Sequence, residues 1–328
     1  MNKKVFNFIK NFLPIIGVML FIYMIYSLQV DKIIEAFLSI NPIFLVFALP
    51  LTIPRVLIRT EAWHLIQREQ QIKVSYWQSL QIFLIGYFYG SITPGYIGQL
   101  MRVPYLKEIT KEPYGKLFVN TLIETIVHTA SIYMMIIIGA AFVISTFPNL
   151  FYISVLWIVI FGLILLFFIK RERGETLFSR LVYFLIPSKI KVHFYQFIGT
   201  FYRDFPKVKN LLLPLFLGIW TWVIIFTQEY FIVLALDLSI PFHLFLLLFP
   251  VANVAGFIPI SFAGLGTREA VAVLLFTTLF MVPGEKIFVV SLLGFIITDI
   301  FTGFIGFLVS LWYTQKNGKQ AKRFLSST

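Results

Sequence analysis

Cysteine is absent from the 328 residues. Disulfide frameworks, thiolate metal sites, a cysteine nucleophile and cysteine-linked lipidation are therefore excluded. Charge is scarce as well. Asp, Glu, Lys and Arg make up 13% of the chain, against about 25% in an ordinary soluble domain. Such a chain has too few polar residues to cover a water-facing surface. Walker-type G-x-x-x-x-G-K-[ST], H-E-x-x-H and G-x-S-x-G patterns are also missing. ATP hydrolysis by this chain and the familiar metal- and serine-hydrolase chemistries have no residues to carry them. No metal site or cofactor is expected. The net charge of +12 comes without a continuous basic helix or an RNA-binding signature, so nucleic acid is not an expected partner.

What the chain has instead is apolar sequence, 59% of the residues, with 38 phenylalanines. Six segments are long enough to cross a bilayer, since about 20 apolar residues suffice. They are roughly Phe12–Val30, Pro42–Ile66, Leu117–Ser145, Phe151–Ile169, Leu211–Leu236 and Ile287–Tyr313. The first follows MNKK and reads as a retained signal anchor, being longer than an h-region and lacking a clear cleavage site. Two further stretches are broken. Tyr76–Ile92 stops at Pro94-Gly95 and Gly98. Pro241–Ile258 stops at Pro259, Gly264 and Gly266 and resumes as Ala270–Val282. Broken apolar segments at corresponding positions in two halves point to a transporter-like site. The fold class expected is thus an all-α polytopic membrane protein, with about six spans, two re-entrant segments and an inverted repeat.

Charge placement orients this architecture. With the N-terminus inside, 22 of the 27 Lys and Arg residues fall on the cytoplasmic side, as the positive-inside rule requires. These include Lys3, Lys4 and Lys10; Arg68 and Lys73; Arg102, Lys107, Lys111 and Lys116; and those from Lys170 to Lys209. The count requires Tyr76–Leu100 to enter and leave on that side. A multi-pass protein of the cell membrane with both termini cytoplasmic is expected. The chain reads as a single membrane domain, 1–328, with half-repeats of about 1–165 and 200–328 and a basic linker over 170–210. Ser188–Lys209 within that linker mixes aromatic and basic residues. It fits either a helix lying in the membrane interface or a solvated loop.

Several constellations could carry chemistry. In SITPGYIGQLMR, Ser91 to Arg102, Pro94 stops a helix, and Gly95 and Gly98 allow close backbone approach. A helix starting near Gln99 would present free N–H groups to an anion, with Arg102 one turn in. A tight turn whose glycines serve packing is the alternative. In IPISFAGLGTREA, Ile258 to Ala270, Gly264 and Gly266 again precede a helix start. Thr267 is a candidate cap, and Glu269 falls in the first turn. Arg268 and Glu269 lie between apolar stretches, where ionisable groups are costly and by default functional; structural ion pairs are the alternative. Lys116, Asn120, Glu124 and His128 recur every four residues along one helical face. Glu124 could carry a proton or pair with an arginine, and His128 fits a structural hydrogen bond better than a metal. Arg55 and Arg59 are four apart in the second span, with Arg55 deeper and suited to a phosphate or a buried carboxylate. Glu229 and Asp299 lie within later spans, where they could pair with Arg55, Arg102 or Arg268, or form a proton path.

These motifs together resemble the flippase-like membrane family related to the transmembrane region of lysylphosphatidylglycerol synthases, over nearly the whole chain. The resemblance rests on Arg55-x-x-x-Arg59-x-x-x-Trp63, on PGYIGQLMR, on Glu124, and above all on P-x-x-x-x-G-L-G-x-R-E from Pro259 to Glu269. Gln99 stands where the family usually has an acid, and Ser261-Phe262-Ala263-Gly264 where Thr-Pro-Gly-Gly is common. The resemblance implies moving or binding membrane lipids. It does not extend to the soluble aminoacyl-transfer domain of the bifunctional relatives, so synthase activity is not carried over.

The expectation is a lipid flippase that binds an anionic or aminoacylated phospholipid or a lipid-linked headgroup. The headgroup set is Arg55, Arg59, Pro94, Gly95, Gly98, Gln99, Arg102, Glu124, Gly264, Gly266, Arg268 and Glu269. A proton or charge relay would use Glu124, His128, Glu229 and Asp299. The rivals are an intramembrane enzyme or lipid-presenting subunit, and a proton-coupled small-solute transporter. A homodimer and a separate lipid-modifying enzyme are open as protein partners.

Overall fold

The computed structural model describes residues 16–169, 205–257 and 264–326. Among these residues all regular structure is helical, with no β-strand. Four helical runs are long and apolar enough to cross a membrane: Ile43–Glu69, Tyr114–Phe142, Val208–Ala235 and Gly284–Lys316. Each has at least 27 residues, about 40 Å at ~1.5 Å per residue, which exceeds the ~30 Å hydrocarbon core. They coincide with the second, third, fifth and sixth expected spans. The expected fourth lies within a helix over Pro148–Ile169.

The first expected span is bent. Helix α1, Ile16–Ser27, is followed by Gln29 with φ 64°, and α2, Val30–Leu38, departs at 82°. If this pair crosses as one unit it makes a fifth span. Lys3, Lys4 and Lys10, the linker residues 170–204 and Pro259 lie outside the described residues.

Helix α3, Ile43–Glu69, tightens into a 3₁₀ turn at Leu49–Leu51, where Pro50 has no N–H to give. Gln228 brackets this break, its Nε2 donating to the Ala48 carbonyl and to Thr52 Oγ1, both at 3.0 Å. Helix α4, Tyr76–Ser91, ends before a 3₁₀ segment over Pro94–Met101. Gly95 and Tyr96 there take φ of 60° and 56°. The α-helix after the break, α5, therefore starts at Arg102 and runs to Thr110, three residues later than Gln99. Helix α6 is Tyr114–Phe142 and α7 is Pro148–Ile169. Helix α8 is Leu212–Ala235, α9 is Phe242–Ala255 and α10 is Thr267–Phe280. The last span comprises α11, Gly284–Phe295, a π turn over Ile296–Ile300, and α12, Phe301–Ser326.

By contacts the chain forms two compact units. The first holds Met1–Thr60, Trp77–Arg102 and Trp220–Thr328. In it α10 packs on α9 and α11, and α11 packs on α2. Glycines bring α4 and α12 close together: a Cβ on Gly306 would lie 2.1 Å from the Leu84 carbonyl oxygen, and one on Gly303 2.5 Å from Ser91 Oγ. Such small-residue contacts replace hydrophobic drive where lipid is the solvent. The last span is inside-out by soluble standards. Thr298, Thr302 and Ser310 are buried, while Ile300, Phe304, Leu308 and Trp312 are exposed. Exposed apolar surface of this extent suits hydrocarbon, not water.

The second unit holds Glu61–Tyr76 and Val103–Ile219. Its core contains Ile66, Val119, Ile123 and Val127, with Phe205, Leu211 and Leu215 against them. A polar chain crosses it: Trp63 Nε1 donates to Asn120 Oδ1, and Asn120 Nδ2 donates to Gln70 Oε1, each at 2.7 Å.

Candidate functional site

The last span supplies the scaffold. Ser291, Gly294, Phe295, Thr298 and Thr302 recur at three- and four-residue intervals and share one helical face. Asp299 projects from the π turn; such turns inside α-helices are frequent at functional sites. Side chains from four other segments of the first unit converge on this face.

Arg268 and Glu269 come from the first turn of α10. Gly266 is the N-cap, at φ 89°, with no room for a side chain: a Cβ would meet the Gly17 carbonyl oxygen at 2.3 Å. The expected cap, Thr267, is already inside the helix, and its hydroxyl donates back to the Gly264 carbonyl at 3.1 Å. Glu269 does the capping instead. Its Oε2 accepts from the Gly266 N–H at 2.6 Å, so the carboxylate meets the positive end of the helix. Its Oε1 accepts from Arg268 at 2.7 Å and from the Ser291 hydroxyl at 3.1 Å. Arg268 Nε also donates to Ser291 Oγ at 3.0 Å, and the guanidinium stacks over Phe295 at 4.8 Å. Arg268 and Glu269 are almost wholly buried.

Arg55 approaches the same span from α3. It donates to the Thr298 carbonyl at 2.8 Å and to the Thr302 hydroxyl. Asp299 is bound by hydroxyls. Tyr87 donates to its Oδ1 at 2.8 Å, Tyr96 to the same atom at 3.2 Å, and Thr298 to Oδ2 at 3.0 Å. Glu229, on α8, fits its side chain against Gly294, whose added Cβ would lie 2.9 Å from Glu229 Cγ. It lies within electrostatic reach of Arg268, Asp299 and Arg55.

The first broken segment joins this cluster through aromatics. Arg102 donates to Gln99 Oε1 at 2.5 Å and lies over Phe83 at 4.9 Å. Arg59 lies over the same ring at 5.3 Å and over Tyr87 at 5.9 Å. A guanidinium over an aromatic face is attracted by the negative face of the ring. Gly86 leaves space for the Arg102 stem, Gly90 for Gln99, and Gly98 packs on the Tyr89 carbonyl. The turn is pinned by Thr93, whose hydroxyl donates to the Tyr89 carbonyl and accepts from the Gly98 N–H.

Thus Arg55, Glu229, Arg268, Glu269 and Asp299 gather on one helical face, and Arg59, Gln99 and Arg102 reach Asp299 by way of Phe83 and Tyr87. Gly95, Gly98, Gly264 and Gly266 shape the backbone around them. Glu124 and His128 are buried on α6, in the second unit. Sequence reading missed Tyr87, Tyr96, Ser291, Thr298 and Thr302. The spacing of the last three within an apolar span was the available signal; the tyrosines gave none. Among the described residues no three His, Asp or Glu side chains gather as a metal site.

The family model for the lysylphosphatidylglycerol synthase TM region matches residues 12–306. UPF0104 membrane protein MJ1595 of Methanocaldococcus jannaschii is 23% identical, covering 94% of this chain and 95% of its own. UPF0104 membrane protein PH1989 of Pyrococcus horikoshii is 22% identical, covering 86% of this chain and 90% of its own. With its apolar helical spans and a family match over nearly its whole length, the chain is a multi-pass membrane protein that belongs to the lysylphosphatidylglycerol synthase TM-region family.

Proposed function

We propose that this protein is a membrane lipid translocator that binds a phospholipid headgroup, anionic or aminoacylated, at the last span. The observation that carries the reading is the burial of Arg55, Arg268, Glu229 and Glu269, with the half-buried Asp299, around one helical face. A charged side chain at the centre of a bilayer costs about 3 kcal/mol or more, and buried ion pairs are weak sources of stability. Five such groups in one place are retained for a use. Arg55 and Arg268 are the phosphate-binding groups, with Arg59 and Arg102 completing the positive lining. Glu269 orients Arg268, and the glycines at 95, 98, 264 and 266 let backbone approach the ligand. The acyl chains stay in lipid while the headgroup crosses.

In this reading the protein sits in the cell membrane with both termini cytoplasmic. It has six spans and two re-entrant segments related as an inverted repeat. Basic residues grouped in short polar stretches support the orientation, and the paired breaks before Arg102 and Thr267 support the repeat.

Reconstitution tests the reading. Proteoliposomes with a fluorescent anionic phospholipid in one leaflet should lose that asymmetry faster with the protein than without it. Arg268→Lys and Glu269→Gln should slow the exchange at least tenfold. Equal rates for these variants and the parent would remove the site, and equal rates with and without protein would remove the function.

A further inference from the structure

Among the buried polar atoms of the first unit that have no hydrogen-bond partner are Arg55 Nε and Glu229 Oε2, on two residues of the charged cluster at the last span. Their residues are 3% and 2% exposed. Leaving a buried polar group unsatisfied is costly, and more so when it is charged. The charged groups facing Glu229 are Arg268 on α10, Asp299 in the π turn and Arg55 on α3. None donates to Oε2. Arg268 is engaged by Glu269 and Ser291, and Arg55 by Thr298 and Thr302. On the α11 side the neighbour is Gly294, which offers nothing polar.

Charge decides what can bind. With Glu229 ionised, the two arginines and three carboxylates gathered on the face of the last span carry one net negative charge, while Arg59 and Arg102 stand off across the Phe83 and Tyr87 rings. At this face that charge opposes an anionic headgroup. With a proton on Glu229 the five groups sum to zero. The carboxyl then becomes a hydrogen-bond donor, within electrostatic reach of Arg55, whose Nε–H is free. A phosphodiester offers only acceptors, and so satisfies both.

We infer that Glu229 is the proton-binding residue of this site, and that an anionic phosphodiester headgroup binds together with one proton. The carboxylate takes the proton from water, no other bond changes, and the new O–H donates to a phosphate oxygen. The inference rests on the headgroup-binding reading. Proton and headgroup then reinforce each other's binding by the same factor. A singly charged headgroup that crosses with its proton moves without net charge, so membrane voltage does not oppose it.

The test uses the full chain in nanodiscs and pH-difference infrared spectroscopy of protonated carboxyl groups. Three conditions are compared: phosphatidylcholine alone, phosphatidylcholine with phosphatidylglycerol, and phosphatidylcholine with glycerophosphoglycerol in the buffer. A titrating carbonyl band should be present in the parent, missing in Glu229→Gln and shifted in Glu229→Asp. Its midpoint should be higher with phosphatidylglycerol by about one pH unit, a tenfold coupling. A Glu229→Gln spectrum that superimposes on the parent's overturns the assignment. So does a midpoint that is the same in all three conditions. A shift with soluble glycerophosphoglycerol equal to that with phosphatidylglycerol overturns the lipid part and makes free phosphodiester the ligand. Glu229→Asp keeps the carboxyl group, so the result does not hang on one variant. A lipid-sensitive Glu229 band in a chain that moves no lipid would retain this inference and end the translocator reading. Lipid movement without that band would do the reverse.

Discussion

Arg55 and Thr298, 243 residues apart, are joined by a 2.8 Å hydrogen bond from the guanidinium to the backbone carbonyl. The same carbonyl accepts from the Thr302 hydroxyl at 2.6 Å, and that hydroxyl accepts from Arg55. The span carrying Arg55 and Arg59 is therefore held at the π turn of the last span, beside Asp299. Thr302→Val keeps the shape and deletes one acceptor of a buried cation. It should cost about 1–3 kcal/mol, read as a lower unfolding midpoint in detergent. Thr302→Ser should restore it.

Arg268 and Glu269 should behave as a pair. Removing either charge leaves the other buried, at a cost of about 3–5 kcal/mol. Glu269→Gln also weakens the cap on the Gly266 N–H. The double change Arg268→Met with Glu269→Gln should cost less than the sum of the single changes. Thermal unfolding of the four proteins of the cycle measures the coupling. Strict additivity would show that the 2.7 Å contact carries no coupling.

Tyr87 and Tyr96 hold the same oxygen of Asp299, at 2.8 Å and 3.2 Å. Tyr87→Phe should therefore be the more damaging change, by about 1.5–3 kcal/mol for a bond to a charged acceptor. Tyr96→Phe should lie below that range. Lipid exchange in proteoliposomes should fall in the same order, since both tyrosines fix the acid beside the arginines.

Gly266→Ala should fail to accumulate as folded protein. Its φ of 89° disfavours any side chain, and its Cβ would sit 2.3 Å from the Gly17 carbonyl oxygen. Gly162→Ala, where an added Cβ meets nothing within 4 Å, is the matched control. Size-exclusion profiles after purification distinguish the two.

Asn120→Ala breaks the chain from Trp63 to Gln70 in the second unit. A loss of about 2 kcal/mol is expected from the two contacts withdrawn. The lipid dependence of the Glu229 infrared band should stay as in the parent. Infrared titration of the stable fraction checks this.

Much of the class and some of the site could be read from residue order alone. Low charge and long apolar runs dictate a membrane solvent, because backbone and side chains have no other medium to satisfy. Pro94-Gly95 and the Gly264–Gly266 pair mark where helices must stop, a local steric matter settled within a few residues. The G-L-G-x-R-E sequence is the most specific part of the resemblance to the family whose model matches residues 12–306. Even locally, one assignment changed. Thr267 was expected as the cap, but Gly266 takes that position because only a glycine fits against Gly17.

What residue order could not decide is which charges meet. It left Glu229 and Asp299 as partners for any of Arg55, Arg102 or Arg268. In the structure Asp299 takes two tyrosines and a threonine, Arg55 takes Thr298 and Thr302, and Arg102 takes Gln99. Glu229 keeps one oxygen unpartnered. These choices depend on the rotation of each helix about its axis and on the gaps left by Gly86, Gly90 and Gly294, over separations of up to hundreds of residues. Sequence spacing fixes the face of one helix; only packing fixes which faces oppose each other.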